Sequence, residues 1–209
     1  MVSKLTDLCL DLHSNQEDNS PQRCVDFLST DNADEKFSDS MRKRYTTQRT
    51  LHNGSSVTLR PIESTDQAEF KEFFKALSPM SLHFRFLEII KELPNETVER
   101  YCNLDYHHEM AIIAQPMGED KIIAVARLIL SLKDKRGEFA LVIADAWQGF
   151  GLGTELLAYL IKIARDYQLE ELYCVLSSNN DRMIKLAEKF GLKVKSTDGD
   201  TMEMTLKLT

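Results

Sequence analysis

Cysteine is scarce in this chain: 209 residues hold four, Cys9, Cys24, Cys102 and Cys174, and no two form a Cys-x-x-Cys pair. Such spacing matches neither a zinc site nor a disulfide framework. Cys174, inside a strand pattern, reads as a small buried hydrophobe. No apolar run reaches the length of a membrane span. Lys4, Asp7 and Asp11 interrupt residues Met1 to Leu12, so no signal peptide is expected and the cytoplasm is the default compartment. An excess of base is absent too. With 33 acids against 26 Lys and Arg the formal charge is -7, which argues against nucleic-acid binding and suits an amine-bearing substrate.

Two familiar phosphate-binding signatures are also missing. The Gly-rich stretch Gln148-Gly149-Phe150-Gly151-Leu152-Gly153 is followed by Thr154 and Glu155, so it lacks the lysine of a nucleoside-triphosphate loop. Its G-x-G-x-G spacing is not the G-x-G-x-x-G of a dinucleotide fold, and no second acid-tipped βαβ unit follows. What remains is the bend itself. Before it runs an apolar strand pattern, Phe139 to Ala144, preceded by the acid Glu138; after it Leu152, Leu156, Leu157, Leu160, Ile161 and Ala164 recur on one side of a helix. A bend at that junction presents unpaired amides and the positive end of the helix dipole to an anion. Glycine permits close approach of the backbone. Taken alone, such a turn more often serves packing than phosphate binding.

The remaining segments sort into elements around this centre. Residues 1–48 are rich in Ser, Asp and Asn and form a polar extension expected to be mobile or to dock as short helices; residues 49–209 form the folded domain. Met41-Arg42-Lys43-Arg44-Tyr45 reads as a solvated basic linker. Asn53-Gly54 predicts a hairpin with a type I′ turn between Arg49–His52 and Ser56–Arg60, ended by Pro61. Glu63 to Asp66 offer caps for a helix with Phe70, Phe73, Phe74 and Leu77 on its buried side. Two more helices are predicted, from Pro79 or Ser81 to Leu87 and from Asn95 to Cys102. Asp105, His107, His108 and Glu109 crowd one turn without the i,i+4 spacing of helical ligands, so they read as a polar loop and no metal site is expected. Strands follow at Met110–Gln115, Ile122–Ser131 and Glu171–Leu176, with a helix from Asn180 to Phe190 and a terminal hairpin about Asp198-Gly199. That order predicts an α/β (α+β) fold with a mixed sheet and helices on both faces.

Gln148-x-x-Gly151-x-Gly153, the strand Glu171 to Ser177, the Asn179-Asn180 pair and the helix ending Leu186-Ala187-Glu188-Lys189-Phe190-Gly191-Leu192 together resemble the GNAT superfamily of acyl-CoA-dependent N-acyltransferases. Leu59-Arg60-Pro61-Ile62, Ser78-Pro79-x-Ser81-x-x-x-Arg85-Phe86 and Asp105 to Ala111 resemble the acetyltransferase domain of bacterial protein-lysine acetyltransferases. The similarity covers about Thr50 to Leu208. It implies a mostly antiparallel sheet in which the strands of Phe139 and Tyr173 are parallel neighbours that splay apart around acetyl-CoA.

The same resemblance assigns roles. Amides of Gln148, Gly149, Phe150, Gly151, Leu152, Gly153 and Thr154 would take the diphosphate. Amides of Val142 or Ile143 and the side chain of Asn180 would take the pantetheine arm, although Asn180 also has a structural use as a helix cap. Glu138 would be the general base, because a lysine with a pKa of about 10.4 is almost wholly protonated at neutral pH. Six residues from Glu138 to Ala144 span roughly 20 Å, which suits an extended arm between the two sites. The family's frequent tyrosine acid is replaced here by Ala187; Ser177 and Ser178 are weak substitutes, and water is the other source of the proton. The implied function is transfer of an acetyl group to a protein lysine. Alternatives are a small-molecule amine as acceptor, or a CoA-binding regulatory module without turnover.

Overall fold

The structure, a computed structural model, describes residues 40, 41 and 43–208. One sheet of eight strands runs through it: β1 (Thr47–Thr50), β2 (Ser56–Pro61), β3 (Glu109–Pro116), β4 (Ala124–Ser131), β5 (Arg136–Ile143), β6 (Glu171–Ser177), β7 (Lys193–Asp198) and β8 (Thr201–Lys207). The helices are α1 (Gln67–Lys75), α2 (Pro79–Phe86), α3 (Asn95–Cys102), α4 (Leu152–Asp166) and α5 (Asp181–Lys189). Strand order is β1-β2-β3-β4-β5-β6-β8-β7. Every neighbouring pair is antiparallel except β5 with β6.

Pleating sends alternate side chains of each strand to opposite faces, and each face has its own helices. Phe139 packs with Leu152, Leu156, Leu157, Leu160, Ile161 and Ala164, so the predicted stripe of α4 is buried against one face beside Ala187 of α5. Val142 and Val125 turn the other way, onto Phe70, Phe73, Phe74 and Leu77 at α1, Phe86 of α2, and Val98 and Tyr101 of α3. Cys102 and Cys174 are buried free thiols, and burial pushes both up to about 12. Cys9 and Cys24 lie outside the described residues.

Several local expectations change. The hairpin between β1 and β2 is closed by a longer loop over residues 51–55, not a two-residue type I′ turn. Leu51 N–H donates to Ser55 O at 2.8 Å, and Gly54 N–H donates to Leu51 O at 2.9 Å. A type I′ turn needs positive φ at both central residues. Here Gly54 has it, at 82°, and Asn53 does not. Asn53 instead accepts Ser55 N–H on its side chain at 3.1 Å. Leu51, 4% exposed, is drawn into the core, and that burial ends the strand early. β5 begins at Arg136, which puts Glu138 inside the strand.

The basic run is not a solvated linker. Met41 and Tyr45 are 7% and 1% exposed and pack into the α4 core. Tyr45 O–H donates to Asp166 at 3.2 Å, and Arg44 pairs with the same carboxylate at 3.4 Å. Burial, then the Asp166 charge, pushes the Tyr45 phenol up to about 12, so it stays a donor. Of the extension expected over residues 1–48, residues 1–39 and Arg42 lie outside the described residues.

The Asp105 loop has a local explanation: Asp105 accepts His107 N–H at 2.9 Å and its second oxygen lies 2.6 Å from His108 Nδ1. Among the described residues no helix is long and apolar enough to cross a membrane.

Truncation of Tyr45 tests how far the packed body reaches. Tyr45→Ala empties a fully buried ring site, so we expect a loss of about 3 kcal/mol, read as a lower midpoint in urea or thermal unfolding. A change below about 0.5 kcal/mol, the range of surface substitutions, contradicts the packing described.

Candidate active site

The site begins where a strand pair comes apart. β5 and β6 share only the rungs Arg136–Glu171, Gly137–Leu172 and Glu138–Tyr173. Beyond them β5 stays on β4 as far as Ile143, and β6 stays on β8 as far as Ser177. Each strand therefore keeps its outer partner and loses its inner one.

Which amides are released follows from ladder alternation. Ala144 N–H donates to Ile123 O at 2.8 Å, so Ala144, and by alternation Val142, turn their backbone groups to β4. Glu171 N–H donates to Lys135 O at 3.2 Å, so the odd-numbered residues of β5 turn toward β6. Phe139 closes the last rung, and beyond it those are Leu141 and Ile143. Of the two amides expected to face a ligand, Ile143 is on the open edge, with Leu141, and Val142 is on the β4 ladder.

At the far end of β5 the chain makes a short 3₁₀ turn, Asp145–Trp147, then the glycine bend, then α4. Gly149 and Gly151 have φ of 86° and 92°, a region costly for any residue with a Cβ. The amides of Gly149, Phe150, Gly151, Leu152 and Gly153 have no hydrogen-bond acceptor among the described residues. Those of Thr154 and Glu155 return to Gly151 O at 2.9 and 3.2 Å. A Cβ on Gly149 would meet nothing within 4 Å, whereas one on Gly151 would lie 2.9 Å from the His52 ring. Five amides without an acceptor, an open glycine and the positive end of a 15-residue helix fit a diphosphate.

Groups far apart in sequence hold this bend. His52 N–H donates to Phe150 O at 3.0 Å. Gln148 donates through Nε2 to Ile143 O at 3.0 Å and to Ser81 Oγ at 3.2 Å, and its Oε1 accepts from Arg182 at 2.6 Å. Asp145 accepts from Ser78 N–H at 2.9 Å and from the hydroxyls of Ser78 and Ser81 at 2.7 and 2.9 Å. Burial alone would raise the Asp145 carboxyl, but those donors outweigh it and hold the group below the usual range. Sequence reasoning missed Asp145, Arg182 and His52; the Ser78-Pro79-x-Ser81 motif was visible, but not that its hydroxyls reach across to Asp145. Asn180 has its structural use: its Oδ1 accepts Met183 N–H at 3.1 Å and caps α5.

At the near end, Glu138 is 2% exposed, not solvated. It sits on the α1–α3 side of the sheet, with Ile129 opposite on β4 and Tyr173 beside it on β6. Tyr173 O–H donates to Glu138 Oε2 at 3.1 Å. Burial first, then the Glu138 charge and that hydrogen bond, pushes the Tyr173 phenol far above its ordinary value. Ala187 is fully buried, and Ser177 Oγ accepts Asn179 N–H at 3.3 Å.

Comparison with known proteins agrees with this geometry. The sequence model of the Acetyltransferase (GNAT) family matches residues 74–192. An acetyltransferase of Pseudomonas aeruginosa is 31% identical over 160 residues, 76% of this chain and 86% of that protein. Among solved structures, the GNAT domain of PAT from S. lividans superposes with a TM-score of 0.74 at 21% identity, covering 78% of this chain and 97% of that one. A protein of Salmonella typhimurium solved with acetyl-CoA gives 0.59 at 19% identity, over 73% and 94%. Spermidine N-acetyltransferase of Vibrio cholerae, solved with CoA and spermine, gives 0.59 at 18%, over 73% and 95%.

The two positive-φ glycines separate strain from crowding. Gly149→Ala is expected to lose about 1–2 kcal/mol from its left-handed backbone alone. Gly151→Ala bears the same strain and also pushes on the exposed His52 ring, so its unfolding midpoint should fall at least as far; a smaller loss than in Gly149→Ala contradicts the strain assigned to this position.

Proposed function

Because the chain belongs to the acetyltransferase (GNAT) family, we propose that it transfers an acetyl group from acetyl-CoA to a protein lysine, with Glu138 as general base. One observation carries this reading: a buried carboxylate stands at the last β5–β6 rung, and the anion-ready bend stands at the other end of the same strand. Acetyl-CoA supplies the activated acyl group. The amides of residues 149–153 would hold its diphosphate, with the Thr154 hydroxyl alongside, and Leu141 and Ile143 would bond the arm and the developing charge on the acyl oxygen. Asn180 would add its Nδ2 donor, which the cap leaves unused. The catalytic domain is assigned to residues 49–209, with Met41 and Tyr45 anchoring the segment before it.

Proton movements follow from elementary acidity. The incoming ammonium yields one proton to Glu138. The nitrogen lone pair then forms the C–N bond as the C–S bond breaks. The second proton leaves the nitrogen to solvent, solvent protonates the departing thiolate, and Glu138 releases its proton to solvent before the next turnover. No side chain is required for that last step, since an ordinary thiol ionises near about 8.5.

Burial of Glu138 also supports the acceptor assignment. An amine must reach the carboxylate on a slender stem, and the four methylenes of lysine provide one. Resemblance of the Leu59–Ile62 and Ser78–Phe86 segments to bacterial protein-lysine acetyltransferases points the same way. A polyamine arm has the same shape, and the negative net charge suits it equally; it is the second reading.

Thiol release with lysine peptides and with polyamines tests both parts. Glu138→Gln is expected to lower kcat by about 10²- to 10⁴-fold while acetyl-CoA affinity holds. A lysine peptide is expected to exceed every polyamine in kcat/KM. An unchanged kcat removes Glu138 as base, and a reversed acceptor order replaces lysine with the polyamine.

A further inference from the structure

We propose that Tyr173 is the positioning residue of the general base, fixing the Glu138 carboxylate through its phenol O–H from the last rung of the β5–β6 pair. The inference rests on the assignment of Glu138 given above and extends it to a residue on the neighbouring strand. Parallel register makes Glu138 and Tyr173 lateral neighbours, and the shared pleat sends both side chains to the same face. Their contact, 3.1 Å from phenol oxygen to Oε2, spans the strands just before they separate. Tyr173 is itself held from two directions. β6 is bonded to β8 opposite Thr205, and the Arg136 guanidinium lies 4.5 Å from the ring centroid. Arg136 in turn is fixed by Glu171 at 2.6 Å and Glu203 at 3.2 Å. The ring has little freedom, so its hydroxyl holds the carboxylate in one orientation. As a proton source for the thiolate the same phenol is poorly suited, because burial and the Glu138 charge make it reluctant to ionise.

A donor aimed at a carboxylate favours its ionised form. Removing the donor disfavours that form, so the acidic limb of the rate profile moves to higher pH. Other charged groups facing this pair are Arg136 on β5, Glu171 on β6, Glu203 on β8, Lys195 on β7, which pairs with Glu203 at 3.0 Å, and Arg127 on β4, which pairs with Glu109 at 2.5 Å. Cys174, on the opposite face of β6, is raised to about 12 by burial and stays neutral. All of them are retained in Tyr173→Phe, which keeps the ring and loses only the O–H.

The test uses the full chain, acetyl-CoA and the best acceptor from the thiol-release assay. Tyr173→Phe is expected to move the acidic limb of kcat/KM up by about one pH unit and so to lower kcat/KM about tenfold on that limb. The deficit should close at high pH, with acetyl-CoA affinity unchanged. Tyr173→Gln, which keeps a donor, should move the limb less than half as far. A limb that stays in place, or equal shifts in both variants, overturns the proposal. Glu138→Gln separates this failure from failure of the base itself. If the limb survives in Glu138→Gln, Glu138 is not the base; if it vanishes there yet stays put in Tyr173→Phe, only the positioning role falls. In the double variant, Tyr173→Phe should add less than about a twofold further loss, as for two residues acting through one interaction.

Discussion

The structure turns on a pairing that stops halfway. Backbone polar groups buried without partners are costly, so a sheet does not open in its interior unless something else meets its amides and carbonyls. Here β5 and β6 separate after Glu138 and Tyr173 while each keeps its outer neighbour. The outer ladders hold the two strands apart, and the α4 and α1–α3 cores clamp β5 from both faces. An opening made this way has fixed width and fixed donors. It also has a direction, because the bend lies at its wide end and the carboxylate at its closed end.

The wide end is preorganised by parts of the chain with no sequence relation to each other. His52 comes from the first hairpin, Ser78 and Ser81 from the start of α2, and Arg182 from the first turn of α5; each meets the segment from Asp145 to Gly151. Held in this way, the amides need little rearrangement when an anion arrives, which lowers the ordering cost of binding. Gln148 illustrates the division of labour. Its side chain is engaged by Ile143, Ser81 and Arg182, so it shapes the bend.

What could be read from the sequence was what repeats or what breaks a repeat. The stripe of α4 has a 3.6-residue period over four turns, and every residue assigned to it is buried. The bend stood out because three glycines interrupt a strand-to-helix junction, and Glu138 because it is the acid leading into an apolar run. Other features depend on relations no single segment contains. Whether Val142 or Leu141 points into the opening is the phase of the β4–β5 ladder, which is set by the partner strand. Asn53-Gly54 favours a tight turn locally, but burial of Leu51 decides the loop. Tyr45 looked like part of a basic linker because its neighbours are charged, and its own ring is what anchors the segment to α4. The Tyr173–Glu138 contact joins residues 35 apart and exists only through parallel register.

On the proposed mechanism, the absence of a tyrosine at Ala187 fits an asymmetry of acidity. A lysine ammonium ionises near about 10.4 and a thiol near about 8.5, so taking a proton from the nucleophile is the harder transfer and returning one to the sulfur is the easier. On the proposed assignment, this chain serves the harder transfer with a buried carboxylate, a phenol bonded to it, and a guanidinium braced by two further carboxylates behind that phenol. At position 187 it places a methyl group that is fully buried in the α4–α5 core, where a phenol would have to displace packed side chains. A tyrosine on β6, Tyr173, is instead bonded to Glu138. On the proposed mechanism proton donation to sulfur is left to water, and the structured hydrogen bonds are concentrated on the carboxylate.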